Sequence, residues 1–227
     1  IGVRLVGSEM CIRDSFRARG MNYTNAIGII VTTEFMSRIL AFDTWQERWG
    51  NTDRVLTEEQ NESVAMQTFS GLDLTKRIVE GQAGIDGMTA AKRCWNYQKG
   101  GFQWYLPCLM ELGVLCAYRD EINKAMKEIG CPDECLLPTE DSDETWVWSS
   151  SEVSQNYSWN VSFSSGNFGY NIKCNSNMVR AVAAFQPSPS LLTGEAKSND
   201  CLHSDEALIN MLRERGYKGE LTKTLTI

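Results

Sequence analysis

Residues 146–185 read WVWSSSEVSQNYSWNVSFSSGNFGYNIKCNSNMVRAVAAF, and this stretch decides the fold. Between Glu152 and Lys173 it carries no charged side chain, yet it is dense in Asn, Ser, Gly, Tyr, Trp and Phe. Disordered segments show the opposite balance, with few aromatics and much charge. A catalytic segment is expected to hold carboxyl, imidazole, amine or thiol groups, and between these two residues there are none. The mixture of rigid aromatic anchors and adaptable hydrogen-bonding residues is that of a recognition surface, as in antibody binding loops. Within it, 146–149, 158–163 and 178–185 read as strands. In the second, Trp159, Val161 and Phe163 alternate with Ser158, Asn160 and Ser162, which predicts one buried and one wet face. In the last, Val179, Ala181, Ala183 and Phe185 share a face. Gly166 and Gly169 are read as turns.

Working outward toward the N-terminus, 109–129 repeats apolar residues at steps of three and four: Leu109, Leu112, Leu115, Tyr118, Ile122, Met126 and Ile129. This is helical spacing, and the stripe is core. Gly130 and Pro132 stop it. Glu121 and Lys124 or Lys127 belong to a solvated face. A helix over 88–98 is capped by Asp86 and halted by Gly100-Gly101. Residues 50–81 are polar, which predicts a long surface excursion with a short helix near 73–79. The runs 25–32 and 38–43 are β-rich and separated by TEFMS, a hairpin signal. Trp45 and Trp49 follow, and at least one is a core anchor.

The acidic cluster Glu140, Asp141, Asp143 and Glu144 lacks the central Gly of a calcium loop and reads as a solvated loop. After Gln186 the composition becomes linker-like through residue 203. Residues 204–227 form a helix–strand unit too small to fold alone, expected to dock on its own domain, another subunit or a virion.

Composition sets limits. The 227 residues are 42% apolar with seven Trp, enough for a core, and suggest one domain with appendages. A net charge of −7 argues against nucleic acid or an anionic membrane as the main partner. No apolar run approaches the ~20 residues that span a bilayer, so direct membrane insertion is not expected. Eight cysteines include one close pair, Cys131 and Cys135, without a second pair at zinc-finger spacing. Free thiols are favoured over a disulfide framework, with room for one bridge. No P-loop, GxGxxG or nucleophile elbow occurs, and the sole histidine, His203, lies in the tail. The expectation is a binding protein, not an enzyme, with no catalytic residue, metal or cofactor.

Two resemblances follow from particular residues. The run VGSEMCIRD (6–14) resembles the translated adapter peptide found fused to metagenomic reading frames, which implies that residues 1–15 encode no designed structure. The order WYLP (104–107), MELGVL (110–115), EINKAMKEIG (121–130), WSSSE (148–152), WNVSFSSGN (159–167) and VRAVAAF (179–185) resembles the C-type-lectin-fold variable proteins of diversity-generating retroelements. It is also similar to the carbohydrate-binding C-terminal domains of bacterial collagen-like adhesins. The likeness covers residues 25–185, and its C-terminal third carries the most specific motifs.

This resemblance implies an α+β C-type lectin fold: antiparallel strands, two helices and a long loop-rich segment that displays a ligand-binding face. It implies a framework of Trp148, Ser149, Ser150, Glu152, Trp159, Val161, Phe163, Gly166, Val179, Arg180 and Phe185. Diversified, ligand-binding positions are implied at Val153, Gln155, Asn156, Tyr157, Asn160, Ser162, Asn167, Phe168, Gly169, Tyr170, Ile172, Cys174, Asn175, Asn177 and Met178. The partner implied is a protein or glycan on a cell surface. Two alternatives are a fixed-sequence adhesin or phage-fibre carbohydrate-binding domain, and a structural subunit. The formylglycine-generating enzymes use a related fold, but their chemistry needs paired active-site cysteines, and Cys174 has no neighbouring Cys.

Overall fold

Two long central strands, whose successive residues are shared between two apolar clusters, organise the chain. The computed structural model describes residues 4–5, 26–33, 35–51, 54–84, 86–140 and 145–185. His203, most of the acidic cluster (141–144), the linker and the C-terminal helix–strand unit lie outside the described residues. The strands are β1 (Arg4–Leu5), β2 (Gly28–Thr32), β3 (Ser37–Arg48), β4 (Trp104–Tyr105), β5 (Trp146–Glu152), β6 (Tyr157–Ser162), β7 (Phe168–Ile172) and β8 (Ser176–Ala184). They form one sheet in the order β1-β2-β3-β8-β5-β6-β7, with β4 also paired to β8. All pairings are antiparallel except β5 with β8.

Helices cover both faces. On β3, Leu40 and Phe42 join one apolar cluster while Ile39 and Ala41 join the other, as a two-residue period requires. The first cluster is closed by α4 (Leu109–Ala117) and α5 (Arg119–Glu128), through Leu109, Leu112, Leu115, Ile122 and Met126. The second is closed by α2 (Gly71–Gly81) and α3 (Ala90–Trp95), together with Trp49, Trp104 and Trp148. Val179, Ala181, Ala183 and Phe185 all belong to this second cluster, sharing a face as the alternation predicts. A one-turn helix, α1 (Glu62–Ala65), sits in the 50–81 excursion, capped by the Asn61 side chain. The architecture is α+β with a mostly antiparallel sheet.

Several local expectations change. The 109–129 stripe is two helices, broken at Tyr118, whose backbone (φ −109°, ψ 20°) leaves the helical region. No Gly or Pro marks the break. The Arg119 guanidinium, bonded to the carbonyls of Phe163 and Ser164 (3.0 Å to the latter), fixes the second helix against the sheet. Helix α3 begins at Ala90 with Thr89, not Asp86, at its N-cap, and the Thr89 hydroxyl donates to buried Gln82 Oε1 (2.6 Å). Gly166 is a turn residue, with φ +77°. Gly169 instead lies inside β7, a strand the sequence did not announce.

The expected wet face of β6 is buried. Ser158, Asn160 and Ser162 are all covered: Trp146 and Trp148 of β5 stand in register opposite Ser162 and Asn160 on the same face, and the Trp146 ring lies against Gly169. Ser158 Oγ donates to Ser151 O (2.7 Å), and Ser162 Oγ bonds the hydroxyls of Ser164 and Ser165, both at 2.9 Å. Small hydroxyl residues bonded locally can be buried where larger polar ones could not.

Candidate functional site

Edge strand β7 and its partner β6 carry the surface toward which the uncharged stretch points. Their register pairs Tyr157 with Ile172, Trp159 with Tyr170, and Val161 with Phe168, so these six side chains share one face. Along that face burial grades steeply. Val161 is fully buried and Phe168 packs over Gly113 of α4, whereas Tyr157 is 36% exposed, Ile172 37% and Tyr170 60%.

The exposed rings are held from beneath. Tyr170 meets Tyr157 edge-to-face at 5.5 Å and Trp159 at 6.0 Å. Trp159, only 7% exposed, donates Nε1–H to the Gln60 carbonyl at 2.8 Å. Each such aromatic pair contributes about 0.5–1.5 kcal/mol beyond area burial. The tyrosines are therefore pre-positioned, which lowers the ordering cost of binding.

Two loops complete this end. The turn after β7 returns to the loop between β5 and β6 through Lys173 N–H to Asn156 O (2.9 Å). Exposed Gln155, Asn156, Cys174 and Asn175 thereby come beside Tyr157 and Ile172. Asn175 Nδ2 donates to Asn171 Oδ1 (2.9 Å), and Asn171 Nδ2 donates to Asn177 Oδ1 (3.1 Å), an amide chain that fixes the turn.

Below the loops lies a buried ion pair. Lys173 Nζ and Glu152 Oε1 are 2.5 Å apart, and both side chains are fully buried. Glu152 also accepts from Leu56 N (3.0 Å), Thr57 N (2.5 Å) and Thr57 Oγ1 (2.6 Å). Lys173 donates to Arg54 O (3.3 Å) and stands 4.8 Å over the Trp49 ring. These contacts, with Gln60 N to Glu152 O (2.9 Å), fasten the polar excursion to the sheet. Glu152 is buried and held from several sides, and sequence reading assigned its partner Lys173 no role. A lone cation closing a charge-free run was the available signal.

The implied diversified positions divide by burial. Gln155, Asn156, Tyr157, Tyr170, Ile172, Cys174 and Asn175 are exposed and gathered at one end of the hairpin. Asn167 is also exposed but precedes β7, at that strand's opposite end. Val153, Phe168 and Met178 are half-buried against the apolar core. Gly169 faces Trp146, where an added Cβ would lie 2.7 Å from the ring. Asn160, Ser162 and Asn177 are buried and present nothing to a ligand, which corrects their expected display. Trp146 and Trp148 stand in register opposite Ser162 and Asn160 on the same face, and the Asn177 amide oxygen is taken by Asn171 Nδ2.

The described cysteines are free thiols. Burial pushes the Cys94 and Cys108 thiols far up, and burial followed by the neighbouring Cys135 pushes Cys131 up to about 11. Among the described residues no group of three or more His, Cys, Asp or Glu side chains is placed to hold a metal ion. Among them, too, no helix is long and apolar enough to cross a membrane.

No protein-family model matches the chain. No curated protein matches it either. Among solved structures the chain is similar to a fimbrial protein from Bacteroides ovatus, at 14% identity and a TM-score of 0.46. That likeness covers 66% of this chain and 36% of the fimbrial protein, so the chain spans little more than a third of that protein's length.

Proposed function

We propose that this chain is a recognition protein with a C-type-lectin-like frame, presenting the Tyr157/Tyr170/Ile172 end of the β6–β7 hairpin to a protein or glycan on a cell surface. It works by contact rather than catalysis, and nucleic acid is not its partner. The observation that carries this reading is the ring stack. Exposed Tyr170 packs edge-to-face on buried Trp159 and on exposed Tyr157, inside an uncharged ring of Asn, Gln and Cys side chains. Rigid aromatics with few torsions to freeze, flanked by adaptable amides, are what binding hot spots use.

Diversification would act where burial permits it: Gln155, Asn156, Tyr157, Asn167, Tyr170, Ile172, Cys174 and Asn175. Substitution at such exposed positions changes stability by about 0.5 kcal/mol or less. One observation favours the rival reading, an adhesin or phage-fibre domain of fixed sequence. Asn160 and Asn177, of the codon type that adenine-directed rewriting targets, are buried. Sequencing this locus across one microbial community separates the two. Diversification predicts substitutions concentrated at the exposed positions, beside a near-copy repeat and a reverse transcriptase. An invariant locus without either would leave the fixed-sequence adhesin.

A further inference from the structure

Strand β7 is the last in the sheet order, and among the described residues it pairs only with β6. Ser162 N–H donates to Asn167 O (2.9 Å) at one end of that pairing, and Lys173 N–H donates to Asn156 O (2.9 Å) at the other. Bonded pairs alternate along an antiparallel ladder, so Asn167, Gly169, Asn171 and Lys173 turn their main-chain groups toward β6. Phe168, Tyr170 and Ile172 turn theirs outward. At Ile172 both groups are taken: its N–H donates to Asn171 Oδ1 (2.8 Å) and its carbonyl accepts from Asn175 N (2.9 Å). The open edge is therefore the N–H and C=O groups of Phe168 and Tyr170.

Such an edge is a template for another strand, and soluble proteins blunt it with lysine, proline or a bulge. Strand β7 (FGYNI) carries no charge and no proline, and its register with β6 runs without a shift. The uncharged run from Val153 to Ile172 keeps charge off its flanks as well. Helix α4 packs over β5 and β6, inboard of this edge.

The pattern of β7 matches itself. In an antiparallel pairing of two copies about Gly169, Phe168 stands opposite the partner's Tyr170, and Tyr170 opposite the partner's Phe168. Each open N–H then meets an open carbonyl, and no bond within either copy is broken. Gly169 meets the partner's Gly169 at the axis, where bare backbones can approach closely. Phe168 and Tyr170 make cross-strand aromatic pairs on one face, while Asn167 stands opposite the partner's Asn171 on the other. Residues near a two-fold axis meet their own copies, so a charge there would repel itself, and the charge-free run removes that repulsion. A foreign peptide would use the same backbone groups without needing this self-match.

We infer that two copies of this chain dimerise through β7, antiparallel about a two-fold axis at Gly169, joining their sheets into one. The axis stands perpendicular to the sheet, so the Tyr157/Tyr170 faces of both copies point to the same side. This goes beyond the recognition reading. It makes that face bivalent where it binds a ligand, and it stands where that face binds none.

The test follows the full chain by sedimentation velocity in low-salt buffer from about 1 to 200 µM, the range for a small edge-to-edge contact. A monomer–dimer equilibrium is expected within it. Tyr170→Pro removes an N–H that no bond within the sheet uses, and abolishes the dimer. Asn167→Asp/Asn171→Asp sets like charges opposite one another across the axis and weakens dimerisation about tenfold or more. Asn167→Lys/Asn171→Asp sets opposite charges there and restores the dimer to within about threefold of the parent. Thermal unfolding checks that each variant folds, and the two charge variants decide the matter alone if Tyr170→Pro does not. The inference is overturned if the parent stays monomeric throughout, or if the two charge variants dimerise alike.

Discussion

Replacing Lys173 by Met removes the charge at the centre of the buried pair while keeping most of the side chain's volume. Lys173 and Glu152 are both fully buried and 2.5 Å apart. Removing one partner of such a pair destabilises by about 3–5 kcal/mol, because the other charge is left uncompensated. In Lys173→Met the Glu152 carboxylate keeps the Leu56 and Thr57 amides and the Thr57 hydroxyl, so the loss falls near the lower figure. In Glu152→Gln the ammonium keeps only Arg54 O at 3.3 Å and the Trp49 ring, so the loss falls near the upper figure. The double variant then costs less than the sum of the two single changes. Urea denaturation measures all three. Amide exchange at Leu56 and Gln60 reports whether the 54–60 segment opens before the rest of the fold. A loss below about 1 kcal/mol for Lys173→Met, the range of exposed pairs, would refute the reasoning. Equal losses for the two single variants would refute the asymmetry.

Three further outcomes follow from particular contacts. Gly169→Leu forces a side chain onto the Trp146 ring, which a Cβ alone would approach to 2.7 Å. It destabilises by about 1–3 kcal/mol in thermal unfolding, and Trp146→Ala relieves part of that loss. Arg180→Met replaces a buried, two-thirds unpartnered guanidinium and is neutral or stabilising at neutral pH, whereas a large loss would mean those donors are engaged. The pH dependence has a definite sign. Burial lowers the folded-state value from the ordinary guanidinium range to about 10, so above about 10 the unfolded chain binds more protons than the native one at this site. Arg180's destabilising contribution is therefore full below about 10 and fades as pH rises beyond it, narrowing the gap between parent and Arg180→Met. Thiol labelling of the native protein modifies exposed Cys174 quickly, while Cys94, Cys108, Cys131 and Cys135 react only on unfolding. Rapid labelling of those four, read by peptide mass mapping, would contradict the packing.

Much of the frame was legible because it rests on periodicity. Leu109, Leu112, Leu115, Ile122 and Met126 announce the helical stripe, and Val179, Ala181 and Ala183 the strand that packs on the other side. What failed depends on which element comes to lie on top. Nothing local to Ser158, Asn160 and Ser162 says that Trp146 and Trp148 of β5 will cover them, since a Ser/Asn row reads as wet in isolation. Strand β7 was missed because Gly169 and its Asn neighbours have turn chemistry, and only Trp146 explains why a glycine stands there. Of the site, Tyr157 and Tyr170 were legible as exposed aromatics. Their support by Trp159, Gln60 and the Glu152–Lys173 pair joins segments about a hundred residues apart, which no spacing rule reaches.

The separation of a fixed frame from a replaceable face is tested most directly by a displayed library. Gln155, Asn156, Tyr157, Asn167, Tyr170, Ile172, Cys174 and Asn175 are randomised together, with a matched library at Asn160, Ser162 and Asn177. The account predicts that most members of the first library keep the parental unfolding temperature to within a few degrees and yield specific binders on selection. Members of the second lose the fold. If the first library unfolds as often as the second, or folds but yields no binders, the hairpin end is not a contact surface.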